Sequence, residues 1–270
     1  MVTTTSAQQL VINQRSSLVM NGNVQLVVNG AGLKNNGNFT AGNGTVKFSG
    51  YTDTTVTNLS GTTLTTFNNL TISKSTNGVA LKSAADVINT LTVTGGILYT
   101  DSNLTLKSTN TLTARVAPVT VGANIIGKAK VERFVPAKRA WRLMTAPVTD
   151  ATSIFNSWQH AGVYAAGKGT FVTGPNAAAA NGMDVSPQNT SSMKKWNAAT
   201  QGFANVANTN VSIAAGNTGR ADNTGYFVFV RGDRNSNNFS TSSTNATTVT
   251  SIGRLQVGTQ TFVASAVSGA

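Results

Sequence analysis

Residues 21–48 read NGNVQLVVNGAGLKNNGNFTAGNGTVKF, and this stretch decides the fold. Four Asn-Gly pairs punctuate it: Asn21-Gly22, Asn29-Gly30, Asn36-Gly37 and Asn43-Gly44. Their starts lie eight, seven and seven residues apart. Asn-Gly is a strong tight-turn signal because both residues tolerate positive φ. Between the corners sit short runs with apolar residues at alternate positions: Val24, Leu26 and Val28, then Leu33, Phe39, and Val46 with Phe48. Period-two alternation over so few residues means strands with one buried face. Sides of about seven residues, repeated without long connections, predict a triangular coil of parallel strands. With three sides to a turn, each turn spans roughly 21 residues and stacks on the last. Hairpins account for some of the pattern, but the run of seven-residue sides favours a β-solenoid.

The pattern continues with looser corners through Leu64 to Phe67, Leu70 and Ile72, Val79 and Leu81, Leu91 and Val93, Ile97, Leu104 and Leu106, to Leu112. Val46, Phe48, Phe67, Leu70, Ile72, Leu91 and Val93 are expected to point into the coil. Asn35-Asn36 and Asn68-Asn69 fall at corners, where stacked Asn side chains can form a ladder; ordinary turn residues are the plainer reading. Residues 1–20 hold Leu10-Val11-Ile12 and Leu18-Val19-Met20, which suit an N-terminal strand or cap, or a first coil.

Composition agrees with an all-β chain. Of 270 residues, 40% are hydrophobic but only 10% are charged, against roughly a quarter in ordinary domains. Thr, Asn, Ser, Gly and Ala take up the difference and suit exposed strand faces. Glu occurs once, at Glu132, so long helices are not expected. There is no cysteine, which excludes disulfides, thiol chemistry and Cys metal sites. No apolar run approaches the roughly 18 residues of a membrane span. Met1 to Thr4 lacks the basic and apolar regions of a secretion signal. With this composition, a mature or trimmed form is expected.

The pattern breaks between about Ala114 and Gly127, near Pro118. The expected organisation is a strand or cap over 1–20, a β-solenoid over 21–127, and a β-sandwich-like domain over 128–270. In the last part, residues 129–136, 140–147, 193–196, 202–206 and 211–213 read as strands. Residues 225–230 form the most apolar strand and are expected at the centre of a sheet. Asp150 to Trp158 reads as a short helix capped by Asp150. Residues 235–248 read as a long polar loop, with closing strands at 252–257 and 261–267.

Net charge is +12 and uneven, +4 over residues 1–127 and +8 over 128–270. The densest basic run is Lys128, Lys130, Arg133, Lys138, Arg139 and Arg142. It fits an acidic polymer or nucleic acid, but also a strand-rich surface whose few charges are basic, which is preferred. No nucleic-acid-binding motif accompanies it, so a nucleic-acid partner is not expected.

Three passages carry a resemblance. Residues 38–40, 67–72 and 91–98 resemble the repetitive part of large secreted surface proteins of Bacteroidota, cargo of the type IX secretion system. Residues 131–143 (VERFVPAKRAWRL) and 226–234 (YFVFVRGDR) are similar to a junction and a core strand of that family. The resemblance implies an extracellular or cell-surface location and gives no catalytic residues to transfer. The C-terminal sorting domain expected of such cargo is absent, which suggests a fragment or processed product.

Catalysis is not expected. Asp53, Asp86 and Asp101 are the acidic residues of the coil, and separations of 33 and 15 do not place them on one face. His160 lies in no recognisable catalytic motif, and there is no Gly-x-Ser-x-Gly elbow. No cofactor or metal site is read. Arg231-Gly232-Asp233 matches an integrin-binding tripeptide, but a turn is the better explanation. Asp53-Thr54-Thr55 resembles a short O-glycosylation motif of Bacteroidota.

The chain therefore reads as a non-enzymatic structural or adhesion module, with the solenoid as spacer. The runner-up is a self-assembling fibre subunit, joined head to tail or by strand donation through Thr261, Phe262 and Val263. The third reading is a carbohydrate-binding or polysaccharide-cleaving β-helix. Its partners would be surface glycans, with Trp158, Trp196, Lys138 and Arg139 as contacts. A row of exposed aromatics would favour that third reading. Trp141 is expected in the sandwich core, since it alternates with Arg142.

Overall fold

A computed structural model of the chain describes residues 8–50, 55–175, 177–197, 200–213, 225–235 and 245–258. Two compact units emerge: residues 1–108 with 112–130, and residues 131–270 with 109–111. The fold is nearly all β and begins with a parallel β-solenoid of about five turns.

The first coil is β1 (Gln9–Ile12), β2 (Ser17–Val19) and β3 (Gln25–Asn29). The second is β4 (Gly32–Asn35), β5 (Asn38–Thr40) and β6 (Thr45–Gly50). Then come β7 (Thr57–Gly61), β8 (Thr65–Leu81), β9 (Ala85–Tyr99), β10 (Leu104–Leu106), β11 (Arg115–Val116) and β12 (Asn124–Ile126). Strands β8 and β9 run unbroken round the corners, with bulges between Phe67 and Asn69 and between Ile72 and Gly78.

All of these pairings are parallel, and like residues stack on like. One column runs Leu26, Val46, Leu70, Leu91, Val116. A second runs Val28, Phe48, Ile72, Val93. Leu33, Leu59 and Leu81 stack on another side, and Phe67, Val87 and Leu106 on the third. Every residue expected to point inward is buried. The residue steps of the first column are 20, 24, 21 and 25, so turns vary in length around the expected 21. Corners absorb the difference: a small antiparallel excursion, for example, joins Ser108 to Thr113. Pro118 lies in such a corner, and the coil continues past it, since β12 pairs with Ile97 to Tyr99. Residues 9–19 supply the first two sides of that first coil.

The Asn-Gly corners serve two purposes. Gly22 and Gly30 take positive φ, at 76° and 142°. Gly37 and Gly44 do not. There a Cβ would strike the Asn13 and Ser16 carbonyls, or the Met20 side chain and the Val24 carbonyl, so glycine is required by close approach of the chain. Asparagines stack at one corner: Asn89 Nδ2 donates to Asn69 Oδ1 at 3.0 Å, and Asn69 Nδ2 to the Gly44 carbonyl at 3.4 Å. Asn35 is fully buried and donates to Thr65 Oγ1 at 3.1 Å.

The second unit is sandwich-like. One layer is a four-stranded antiparallel sheet in the order β14, β17, β15, β16, made of β14 (Ala140–Met144), β15 (Met193–Asn197), β16 (Gly202–Asn205) and β17 (Tyr226–Val230). The other is the pair β13 (Lys128–Val135) and β18 (Thr247–Arg254). Strand β17 is central, as its composition predicts. Between the layers lies a core of Tyr226, Val228, Val230, Met193, Val135, Val249, Ile154 and Trp158.

Three expectations change here. Residues 150–158 form a bend, a bridge at Ser153 and then turns from Ile154 onward, not a helix. The Ile154 and Phe155 amides donate to the Val211 and Thr209 carbonyls instead of building the first helical turn. Strand β18 begins at Thr247, inside the stretch read as loop. Its inward residues Thr247 and Ser251 are polar, and Ser251 Oγ accepts from Trp158 Nε1 at 3.1 Å, which hides the alternation from a hydrophobic count. Residues 211–213 contribute only a bridge from Ser212 to Ser153.

Candidate functional site: an aromatic sheet face

Successive side chains of a strand point to opposite faces. In β17 this sends Tyr226, Val228 and Val230 into the core and Phe227 and Phe229 outward. Strand β14 pairs Trp141 with Phe229 and Leu143 with Phe227. Strand β15 sets Lys194 beside Phe227, and β16 sets Phe203 beside Trp196. Trp141, Leu143, Phe227, Phe229, Lys194, Trp196 and Phe203 thus share the outer face.

The rings form a continuous row. Trp141 stacks on Phe227 at 4.7 Å between centroids and tilts against Phe229 at 5.5 Å. Phe203 stacks on the same Phe227 at 5.3 Å, and Trp196 meets Phe203 edge-on at 5.2 Å. Trp141 is 38% exposed, Trp196 46%, Phe203 47% and Leu143 73%. Cations border the row: Arg139 and Arg231 lie 5.6 and 5.0 Å from the Phe229 centroid, and Lys194 Nζ lies 5.5 Å from the Trp141 ring. Such contacts draw positive charge onto the ring faces. Burial, followed by repulsion from Arg139, pulls the Arg231 guanidinium down to about 10, with Asp184 opposing the shift. Arg231 remains protonated at neutral pH.

The contact residues expected from sequence therefore divide. Trp196 belongs to the row, and Arg139 borders it. Lys138 is exposed, and its carbonyl accepts from Arg142 Nη2 at 3.4 Å. Trp158 is 1% exposed, edge-on to Tyr226, and is core; it cannot serve as a ligand contact. Trp141, expected in the core, faces outward, because Arg142 and not Trp141 shares the inner side of β14 with Met144. Phe203, Phe227 and Phe229 join the row without being expected from the sequence. The signal was present in β17, which is apolar on both faces, but a sequence does not say which face is covered. Thr261, Phe262 and Val263 lie outside the described residues, as do Asp53 and Thr54.

Behind the sheet, Arg234 holds a network of buried polar groups. It grips Asp184 with two bonds, Nη1 to Oδ2 and Nη2 to Oδ1, both at 2.8 Å. It also donates to the Thr170 and Gly162 carbonyls, and its guanidinium lies 4.4 Å from the Phe171 centroid. Asp184 accepts further bonds from Gln159 Nε2 and the Val172 amide. Asp233 is 2% exposed and accepts from the Gly167 amide at 2.7 Å. Arg231-Gly232-Asp233 is thus built into the fold, with both charged side chains buried, and is not displayed as a recognition loop. His160, at φ 52°, has its pKa lowered by burial first and then by Lys168 and Arg234.

In the coil, Asp101 pairs with Lys82 at a corner, while Asp86 stands on another side, in register with Thr66 and Thr105. Among the described residues, no three His, Cys, Asp or Glu side chains come close enough to hold a metal ion, and no helix is long and apolar enough to cross a membrane. No known family model matches this chain, and no curated protein or solved structure is significantly similar to it.

Proposed function

We propose that this chain is a non-enzymatic adhesion module working at the cell surface or outside the cell. Its solenoid is a stiff spacer, and the aromatic face of its second unit is the platform that holds a glycan. The observation that carries this reading is the row Trp141, Phe227, Phe203 and Trp196 on one sheet face, with Trp141, Phe203 and Trp196 exposed, Phe227 half-buried between them, and cations at its border. Clustered exposed aromatics are costly to leave in water and mark interaction surfaces. Rings fixed by sheet pairing are rigid, so little side-chain entropy is lost on binding. The inner rings are stacked on one another, so a sugar would meet their exposed edges and the free faces of the terminal rings. The low charge, the absence of cysteine and the resemblance to type IX secretion cargo of Bacteroidota support the surface setting.

Affinity electrophoresis against a panel of polysaccharides tests this. Binding by the wild-type chain that is lost in Trp196→Ala and Phe203→Ala, with unchanged melting, is the expected result. A chain that binds no glycan, or variants that bind as wild type, would overturn it.

A second reading, head-to-tail self-assembly, is favoured by the first coil. Among the described residues, β1, β2 and β3 each pair on one side only, with β4, β5 and β6. Val11 and Val19 are exposed there. Unpaired strand edges recruit further strands. Electron microscopy of the concentrated chain decides it: filaments support assembly, and monomers throughout the concentration range remove it.

A further inference from the structure

The platform has a neighbour of different character. Along the edge of β14 opposite β17 lies a cavity of about 380 Å³, lined by Arg133, Pro136, Trp141, Arg142 and Met144 among others. Its lining holds two guanidinium groups and no carboxylate. Glu132 of β13 is not among the residues that line it. Arg142 Nε is buried and has no hydrogen-bond partner among the described residues. Its Nη2 reaches only the Lys138 carbonyl, at a long 3.4 Å. Lys138 and Arg139 lead into β14 and add positive charge nearby. Trp141 belongs both to this cavity and to the aromatic row.

We propose that this cavity is an oxyanion subsite, and that the preferred ligand of the platform is an acidic polysaccharide. A guanidinium presents its N–H groups in a planar fork that matches a carboxylate or sulfate. A buried donor lacking a partner is costly, and an incoming oxyanion satisfies it. A polysaccharide lying across the edge of β14 would meet Trp141 on the outer face and carry an acidic substituent round that edge to Arg142 on the inner side, with Arg133 at the exposed side. The shared chemistry is an oxyanion on a sugar ring; uronate and sulfate esters are its two sources.

This inference rests on the glycan-binding reading, and its test separates the two. The full chain is titrated with polygalacturonate, dextran sulfate and neutral dextran at two salt concentrations. Binding to an acidic polymer well above dextran, weakened by salt, is expected. Arg142→Gln should weaken acidic binding about tenfold or more and leave dextran unchanged. Arg133→Gln, at an exposed position that does not endanger folding, should weaken it less. Whichever of polygalacturonate and dextran sulfate loses more in Arg142→Gln identifies the source. Acidic binding unaffected in both Arg variants but lost in Trp196→Ala would overturn the subsite and leave the platform. Equal affinity for dextran, or single-stranded DNA binding as strong as that of polygalacturonate, would overturn the subsite as well. Binding to none of the glycans would overturn the platform itself, and the subsite with it.

Discussion

Trp141 stacks on Phe227 across two antiparallel strands, with centroids 4.7 Å apart and ring planes 16° from parallel. The contact is diagonal, because the residues directly opposite are Phe229 for Trp141 and Leu143 for Phe227. Diagonal neighbours lie within reach of large aromatic side chains. Phe227 is thereby held between Trp141 and Phe203, and the face behaves as one packed unit on a solvent-facing sheet. A double-mutant cycle with Trp141→Ala and Phe227→Leu should give a coupling of about 0.5–1.5 kcal/mol in denaturant melts. Strictly additive losses would mean that the rings do not support one another.

The solenoid is stabilised by stacked apolar columns, and Phe67 is a test of them. It is fully buried and packs against Phe39 at 5.8 Å between centroids. Phe67→Ala should destabilise the chain by about 3–5 kcal/mol. A change near zero would place Phe67 on the wrong side of its strand.

Arg234 and Asp184 form a buried pair, with side chains 3% and 13% exposed. Removing one partner leaves the other charge without compensation, so Arg234→Met should cost about 3–5 kcal/mol. The double change Arg234→Met with Asp184→Leu should be milder than either single change, since neither member of the pair is then left buried without its partner. Thermal melts that rank the double variant lowest would contradict this.

The lowered pKa of His160 predicts a pH effect of definite sign. Its folded pKa lies below the ordinary 6.5, so between the two values the unfolded chain binds more protons. Stability is therefore level above about pH 6.5 and falls as the pH drops from there toward the folded value. His160→Asn removes the titration and tolerates the positive φ at this position. Melting followed from pH 7.5 to 5.5 should show a smaller decline in the variant; equal slopes would count against the assignment.

Much of this protein was decided by sequence alone. Corner spacing and period-two alternation in residues 21–48 specify stacked parallel sides, because a strand with one apolar face and seven-residue sides has few other ways to bury it. The inward positions of Phe48, Phe67, Leu70 and Ile72, and the central place of β17, follow from the same local rule. Other features depended on contacts between distant residues. Trp141 and Trp158 look alike in sequence as aromatic residues beside polar neighbours, yet one faces solvent and the other closes the core. What separates them is Ser251, which meets the Trp158 indole from 93 positions away, and the strand order, in which no other described strand layer covers the outer face of β17. Arg231-Gly232-Asp233 reads as a surface turn until Gly167 and Phe229 bury its charged side chains against them. Alternation assigns residues to two faces of a strand; which face becomes interior is set by the layers that pack on it, and those layers come from far along the chain.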